Sequence, residues 1–219
     1  SSQLIPKEGV VRVPEDCTLN EAVIKINESN GRLTRIVVGE GTHVIDEAED
    51  GKNFLTLNHP VTIVGAPDAD INNILILGGI YIPPNIQVKV HVEGLTIRHL
   101  NGHGVEGKSS FTLKDVVIEQ GGGNGVYGSG SSTLARCSNV IVRQCKLNGV
   151  LAYSASITLD GLKTSVHNNC TRELSWNSYG LAVWNSSSST IQLISPLTKE
   201  KVSEDNQGGG NWGSKYGGD

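Results

Sequence analysis

The sequence predicts an all-β solenoid, a stack of short coils closed at its start by one helix. Three observations predict it. One stretch alone carries a helical period, the later apolar segments alternate as short strands, and two independent markers recur at matching steps. Gly-Val stands at Gly104-Val105, Gly125-Val126 and Gly149-Val150, with Gly180-Leu181 as a fourth member, at steps of 21, 24 and 31 residues. An apolar residue stands at Ile97, Ile118, Val142 and Val166, at steps of 21, 24 and 24. The markers share two steps and then diverge by seven, so seven extra residues lie between His167 and Gly180. A sandwich has no reason to hold such a register, whereas a solenoid must stack each strand on the one before.

The elements follow in order. Thr18 and Glu21 make a capping box, because Ser/Thr followed three residues later by Glu satisfies two orphan donors of a first helical turn. Leu19, Ala22, Val23 and Ile26 fall at helical spacing and Gly31 supplies a left-handed C′ residue, so the spacing predicts one amphipathic helix over 19–30. The period then becomes two. Strands are predicted at 35–38, 54–57, 61–65, 74–77 and 86–92, divided by Gly, Pro, Asn and Asp. The lack of a second helical period excludes βαβ units.

Coils of about 21–25 residues, the capped helix, and the run "GRLTRIVVGEGTHVI" followed by "LTLNHPVTIVGA" resemble the right-handed parallel β-helix of the pectate-lyase-like superfamily. The resemblance runs from Val10 onward. It implies a single domain over 1–219, with an N-terminal segment and cap helix in 1–32 and coils in 33–219. The 187 residues from Leu33 make about eight coils. The helix would cover an end that otherwise exposes apolar core and unpaired strand edge. At the other end Gly208-Gly209-Gly210-Asn211 still echoes Gly121-Gly122-Gly123-Asn124, so the expectation is a truncated stack or one covered by another subunit.

Composition narrows the function classes. The chain has 219 residues, 18 basic and 22 acidic side chains and a net charge of −4, which argues against a nucleic-acid binder held by phosphate contacts. It has no run of 18 apolar residues, so no transmembrane helix is expected. The opening Ser1-Ser2-Gln3 is what a trimmed chain would show, so the compartment is left unknown, with an extracellular or surface-associated setting as the expectation. Four cysteines, Cys17, Cys137, Cys145 and Cys170, are too few for a disulfide scaffold and are read as free thiols. Three N-x-S/T triplets, at Asn27, Asn169 and Asn185, are within chance for an Asn- and Ser-rich chain.

Strand alternation assigns the outward rows. If Val105, Val126, Val150 and Leu181 point inward, Glu106, Tyr127, Leu151 and Ala182 form one outward row, and Lys108, Ser129, Tyr153 and Trp184 a second. Ile80 fits the inward row one coil earlier and sends Tyr81 outward. Tyr81, Tyr127, Tyr153 and Trp184 thus share one outer face. Rungs about 4.8 Å apart approach the rise of an extended saccharide, and aromatic faces stack on apolar sugar faces while keeping a polar handle. Trp176, in the inserted segment with Glu173 and Tyr179, is a candidate rim. The plainer reading is cross-strand pairing. A further row, Arg98, Glu119, Arg143 and His167, alternates in sign and is read as a structural ladder, as are Asn124 and Asn148.

The catalytic signals are faint. Residues 102–109 match a P-loop pattern, but alternating strand follows where a helix is needed. Gly102-His103-Gly104 resembles the G-H-G element of polygalacturonases, whose other elements are missing here. The candidates are His103, Glu106 and Lys108; Glu106 is the one outward acid of that face, where glycosidases need two. The acidic loops 46–50 and 68–70 are solvated turns or, at most, calcium sites. No zinc-ligand spacing occurs, and no cofactor is expected. Three classes stay open. The first is a non-catalytic module binding a polysaccharide or glycoprotein, or serving as a structural coil stack. The second is a polysaccharide lyase, hydrolase or epimerase, against which the missing acid pairs weigh. The third is an interaction domain of a longer virion, surface or recognition protein that self-associates through its C-terminal coils.

Overall fold

A computed structural model of the chain describes residues 9–47, 53–84, 89–173 and 176–215. Every strand pairing is parallel, and the strands stack as three ladders around one apolar core. This is a parallel β-helix, consistent with the architecture that the sequence resembles. The first ladder runs through Val10–Val13, Arg35–Val38, Val61–Gly65, the first halves of Val90–Arg98 and Phe111–Glu119, then Leu134–Ser138, Ser156–Asp160 and Thr190–Leu193. The second uses Gly41–Val44, Ile74–Leu77, the second halves of the same two long strands, Ile141–Arg143, Ser165–His167 and Ser203–Glu204. The third stacks seven strands: Phe54–Thr56, Gly79–Ile82, Val105–Gly107, Val126–Ser129, Val150–Tyr153, Tyr179–Trp184 and Gly210–Lys215. Among the described residues the first ladder thus has eight strands and the third seven. The strand predicted at 86–92 is described from Val90 and runs on to Arg98, and residues 85–88 lie outside the described ones.

The cap helix spans Leu19–Glu28 and ends two residues before the predicted limit. Its capping box is formed by Thr18 and Glu21, and Leu19, Ala22, Val23 and Ile26 are buried. The early end has a local cause. Ser29 caps the helix through its N–H to the Ile26 carbonyl, and Asn30, not Gly31, is the first residue at positive φ (51°).

Both repeat markers are in register. Ile80, Val105, Val126, Val150 and Leu181 stack inward in the third ladder, and Ile97, Ile118, Val142 and Val166 in the second. Each such aliphatic side chain contributes about 1.5–3 kcal/mol on burial. The markers share their steps because they touch. A methyl group added at Gly104, Gly125 or Gly149 would run into Ile118, Val142 or Val166. The glycine of one coil therefore leaves the space that the apolar residue of the second ladder fills. Trp212 takes the inward place beside Leu181 in the last strand and stays 41% exposed.

Two polar ladders run with the stack. Asn124 Oδ1 accepts from the Asn148 backbone N–H and Nδ2, and Asn148 Oδ1 accepts from the Tyr179 N–H. Arg98 and Arg143 each donate two hydrogen bonds to opposite oxygens of Glu119, which is 6% exposed. Burial pushes the Glu119 carboxyl up, but the Arg98 and Arg143 hydrogen bonds push it further down, so the net shift is downward from the ordinary 4.5. A carboxyl lowered in the folded state adds stability above its unfolded value, and that stability is lost as pH falls through the folded value. Glu119→Gln should therefore cost about 1–2 kcal/mol at neutral pH, discounted for the partly exposed arginines. The gap in thermal midpoint between the two proteins should close as pH drops below the ordinary carboxyl range; a gap that stays constant in thermal melts from pH 7 to 3 would contradict this.

Candidate functional site

The outer face of the third ladder gathers most of the predicted site residues. Register pairs Tyr81 with Glu106, Glu106 with Tyr127 and Tyr127 with Leu151, and pairs Ser129 with Tyr153 and Tyr153 with Trp184. Lys108 follows the strand Val105–Gly107 and lies in line with Ser129. Its ammonium is 5.5 Å from the Tyr81 ring centroid and 3.6 Å from Glu106 Oε1. The Tyr127 ring packs at 5.1 Å on His103. Three successive coils thus bring Tyr81, His103, Glu106, Lys108 and Tyr127 together, with Tyr153 one coil on and 42% exposed.

The rest of the face differs from a uniform platform. Leu151 and Ala182 point outward yet are buried, outside the main core. The Lys215 ammonium lies 4.9 Å from the Trp184 ring centroid, so that ring already has a cation on it. Trp176 is 67% exposed and lines a separate shallow cleft with Cys170–Glu173, Gln207 and Gly208.

His103 occupies the place before the repeat glycine that Asn124 and Asn148 hold in later coils. Its Nδ1 accepts from the Asn124 backbone N–H at 2.9 Å, so it is the first rung of the asparagine ladder. The neutral ring then carries its proton on Nε2. Burial lowers the His103 pKa; Glu106 pulls it up and His99 pushes it down, with the net downward. Burial also pushes the Tyr127 phenol up. For the Lys108 ammonium burial pushes down, but Tyr81 and Glu106 together outweigh it, and the net is upward. At neutral pH the cluster therefore offers a cation, a neutral phenol and a neutral imidazole whose free nitrogen is already used. Glu106 is its one carboxylate. Two flanking carboxyls, as hydrolysis of a glycoside requires, do not occur in these outward rows.

The other motifs resolve structurally. The P-loop pattern leads into the strand Phe111–Glu119 rather than a helix. Asp70 accepts from the Asn72 N–H and caps the 3-10 turn Ile71–Asn73. Residues 48–50 of the acidic loop 46–50 lie outside the described ones. Among the described residues no group of three or more His, Cys, Asp or Glu could hold a metal ion. Cys137 and Cys145 are free and buried, Cys170 is buried, and burial pushes all three thiols up to about 12. Asn169 is fully buried in a ladder of its own with Asn206, which closes that triplet to glycosylation in the folded chain. No helix among the described residues is long and apolar enough to cross a membrane.

One feature escaped the sequence reading. A groove of about 620 Å³ lies at the corner between the first and second ladders, under the connection 66–73. Its signal was present. Gly39, Gly65 and Gly94 each end or follow a first-ladder run, and one connection is far longer than the single-residue corners at Gly94 and Asp115.

No protein-family model, no curated protein and no solved structure matches this chain.

The His103 assignment has a direct check. His103→Asn should keep the thermal midpoint near that of the parent, because Asn continues the ladder, whereas His103→Ala should cost about 1–3 kcal/mol by leaving the Asn124 N–H unpaired. Equal losses in both variants would remove His103 from the ladder.

Proposed function

We propose that this chain is a non-catalytic binding module, a right-handed β-helix whose third face holds a polysaccharide or the glycan of a glycoprotein. The observation that carries this reading is the in-register convergence of Tyr81, Glu106, Lys108, Tyr127 and Tyr153 on one outer face. Rings and charges repeat there at the rung spacing of about 4.8 Å, so an extended sugar chain along the stack meets a new rung at each residue. Tyr153 offers an exposed ring, Tyr81 a ring shared with the Lys108 ammonium, and Lys108 and Glu106 a cation and an acceptor for hydroxyls or carboxylates. Three groups of the cluster favour binding over general-base chemistry: Lys108 and Tyr127 keep their protons, and the Nδ1 lone pair of the neutral His103 ring already accepts the Asn124 N–H.

A second reading has its own observation. Trp212 is 41% exposed although it stands in an inward place, with the Lys199 ammonium 4.6 Å from its ring centroid. That supports an interaction role for the C-terminal coils, including self-association.

The glycan reading is tested by retention on immobilised acidic and neutral polysaccharides. Tyr81→Ala and Tyr153→Ala should each weaken retention about threefold to tenfold, from roughly 0.5–1.5 kcal/mol per stacked ring, with the thermal midpoint of Tyr153→Ala nearly unchanged. Parent-like retention in both variants would sink the platform, and release of new reducing or unsaturated ends would move the reading to an enzyme.

A further inference from the structure

The groove between the first and second ladders is built differently from the rest of the surface. The next two coils turn this corner on a single residue, Gly94 (φ 69°) and Asp115 (φ 49°). The coil after Gly65 instead sends out residues 66–73, which fold back over the outer face of the second ladder. Thr96 Oγ1 donates to the Ile71 carbonyl at 2.9 Å and pins the overhang there. The result is a sheltered trough on the outside of the solenoid. Val64 points away from the core, belongs to no part of the core cluster, and is still only 6% exposed. Val37, Pro67, Ala69 and Ile71 extend this apolar lining.

Two cations stand at one end. Arg12 lies beside Val37 and Arg35 beside Thr62 and Val10, on neighbouring strands of the first ladder. Both line the groove, and neither guanidinium has an ion-pair partner among the described residues. The nearby Asp16 carboxylate is committed to the Arg12 backbone N–H, and Glu15 shares this end. Two guanidiniums stand against the Glu15 and Asp16 carboxylates, so this end is balanced in charge, and what it offers a ligand is the donor forks of Arg12 and Arg35. At the far end the acids are occupied. Glu93 is held by His91 and Lys114, and Asp115 by Asn139 and Lys114. Among the described residues no aromatic side chain lines the trough, so sugar stacking has no partner among them.

We propose that this groove is a binding site for an amphipathic organic oxyanion, with its head on Arg12 and Arg35 and its aliphatic stem on Val37, Val64 and Ile71. The volume lies within the usual range for small-molecule sites, about 300–1,000 Å³. Arg is suited to the head because its planar fork meets carboxylate or phosphate oxygens two at a time. The stem lies against the aliphatic carbons of Val37, Val64 and Ile71, and the Gly39, Gly65 and Gly94 backbone adds to the lining. This site is independent of the third-ladder face.

Titration calorimetry of the full chain with octanoate, octyl phosphate and octanamide tests the assignment, with amide NMR shifts of Gly39, Gly65 and Gly94 as the locator. One-to-one binding of at least one anion is expected, tenfold or more tighter than octanamide, with shifts centred on those glycines. The preferred anion tells a carboxylate head from a phosphate head. Arg12→Gln with Arg35→Gln should weaken it tenfold or more, and Val37→Trp, an outward substitution, should block all three probes; unchanged melting curves would show that both variants fold. Absence of anion binding, equal binding of octanamide, or binding that survives both variants would overturn the proposal.

Discussion

Every turn of this molecule must bring the chain back to the same register one rung further along, and the rest of the structure depends on that constraint. It is enforced by contact between two repeats. Gly104, Gly125 and Gly149 have no side chain, and Ile118, Val142 and Val166 fill the space this leaves. A shift of one residue in either repeat would set a Cβ against a branched side chain or turn an inward row to solvent. The asparagine ladder serves the same constraint at the turn, since each amide pairs with the coil next to it. Outer rows then inherit the register without any further requirement of their own. That is why residues distant in sequence, Tyr81, Glu106 and Tyr127, are neighbours in space.

Much of this was legible in the sequence because a solenoid writes its packing as a period. The paired steps of Gly104 and Ile97 located the ladders, the direction of each outward row, and the seven extra residues before Gly180. The alternating charges of Arg98, Glu119 and Arg143 announced a stacked ion pair, which the structure forms around a nearly buried carboxylate. The cap helix was visible from Thr18 and Glu21. Its end was not, because Ser29 and Asn30 together close it as well as Gly31 would.

What the period does not encode was not legible. Exposure within an outward row depends on loops and on neighbours from other coils. Leu151, Ala182 and Trp184 were placed on the correct face, yet the first two are buried and the third lies under Lys215. His103 looked like a lone residue in a glycine turn. Its meaning came only from position, as the histidine version of an asparagine rung. The corner groove was missed for the same reason, since its shelter comes from one long connection and not from any repeat.

The account rests on the third-ladder face being a surface for glycans, and the direct measurement is a glycan-array screen of the purified chain with calcium and with chelator. Binding to one family of extended polysaccharides, equal with and without calcium, is the predicted result. A silent array under both conditions would contradict it and leave the coil stack to a protein partner.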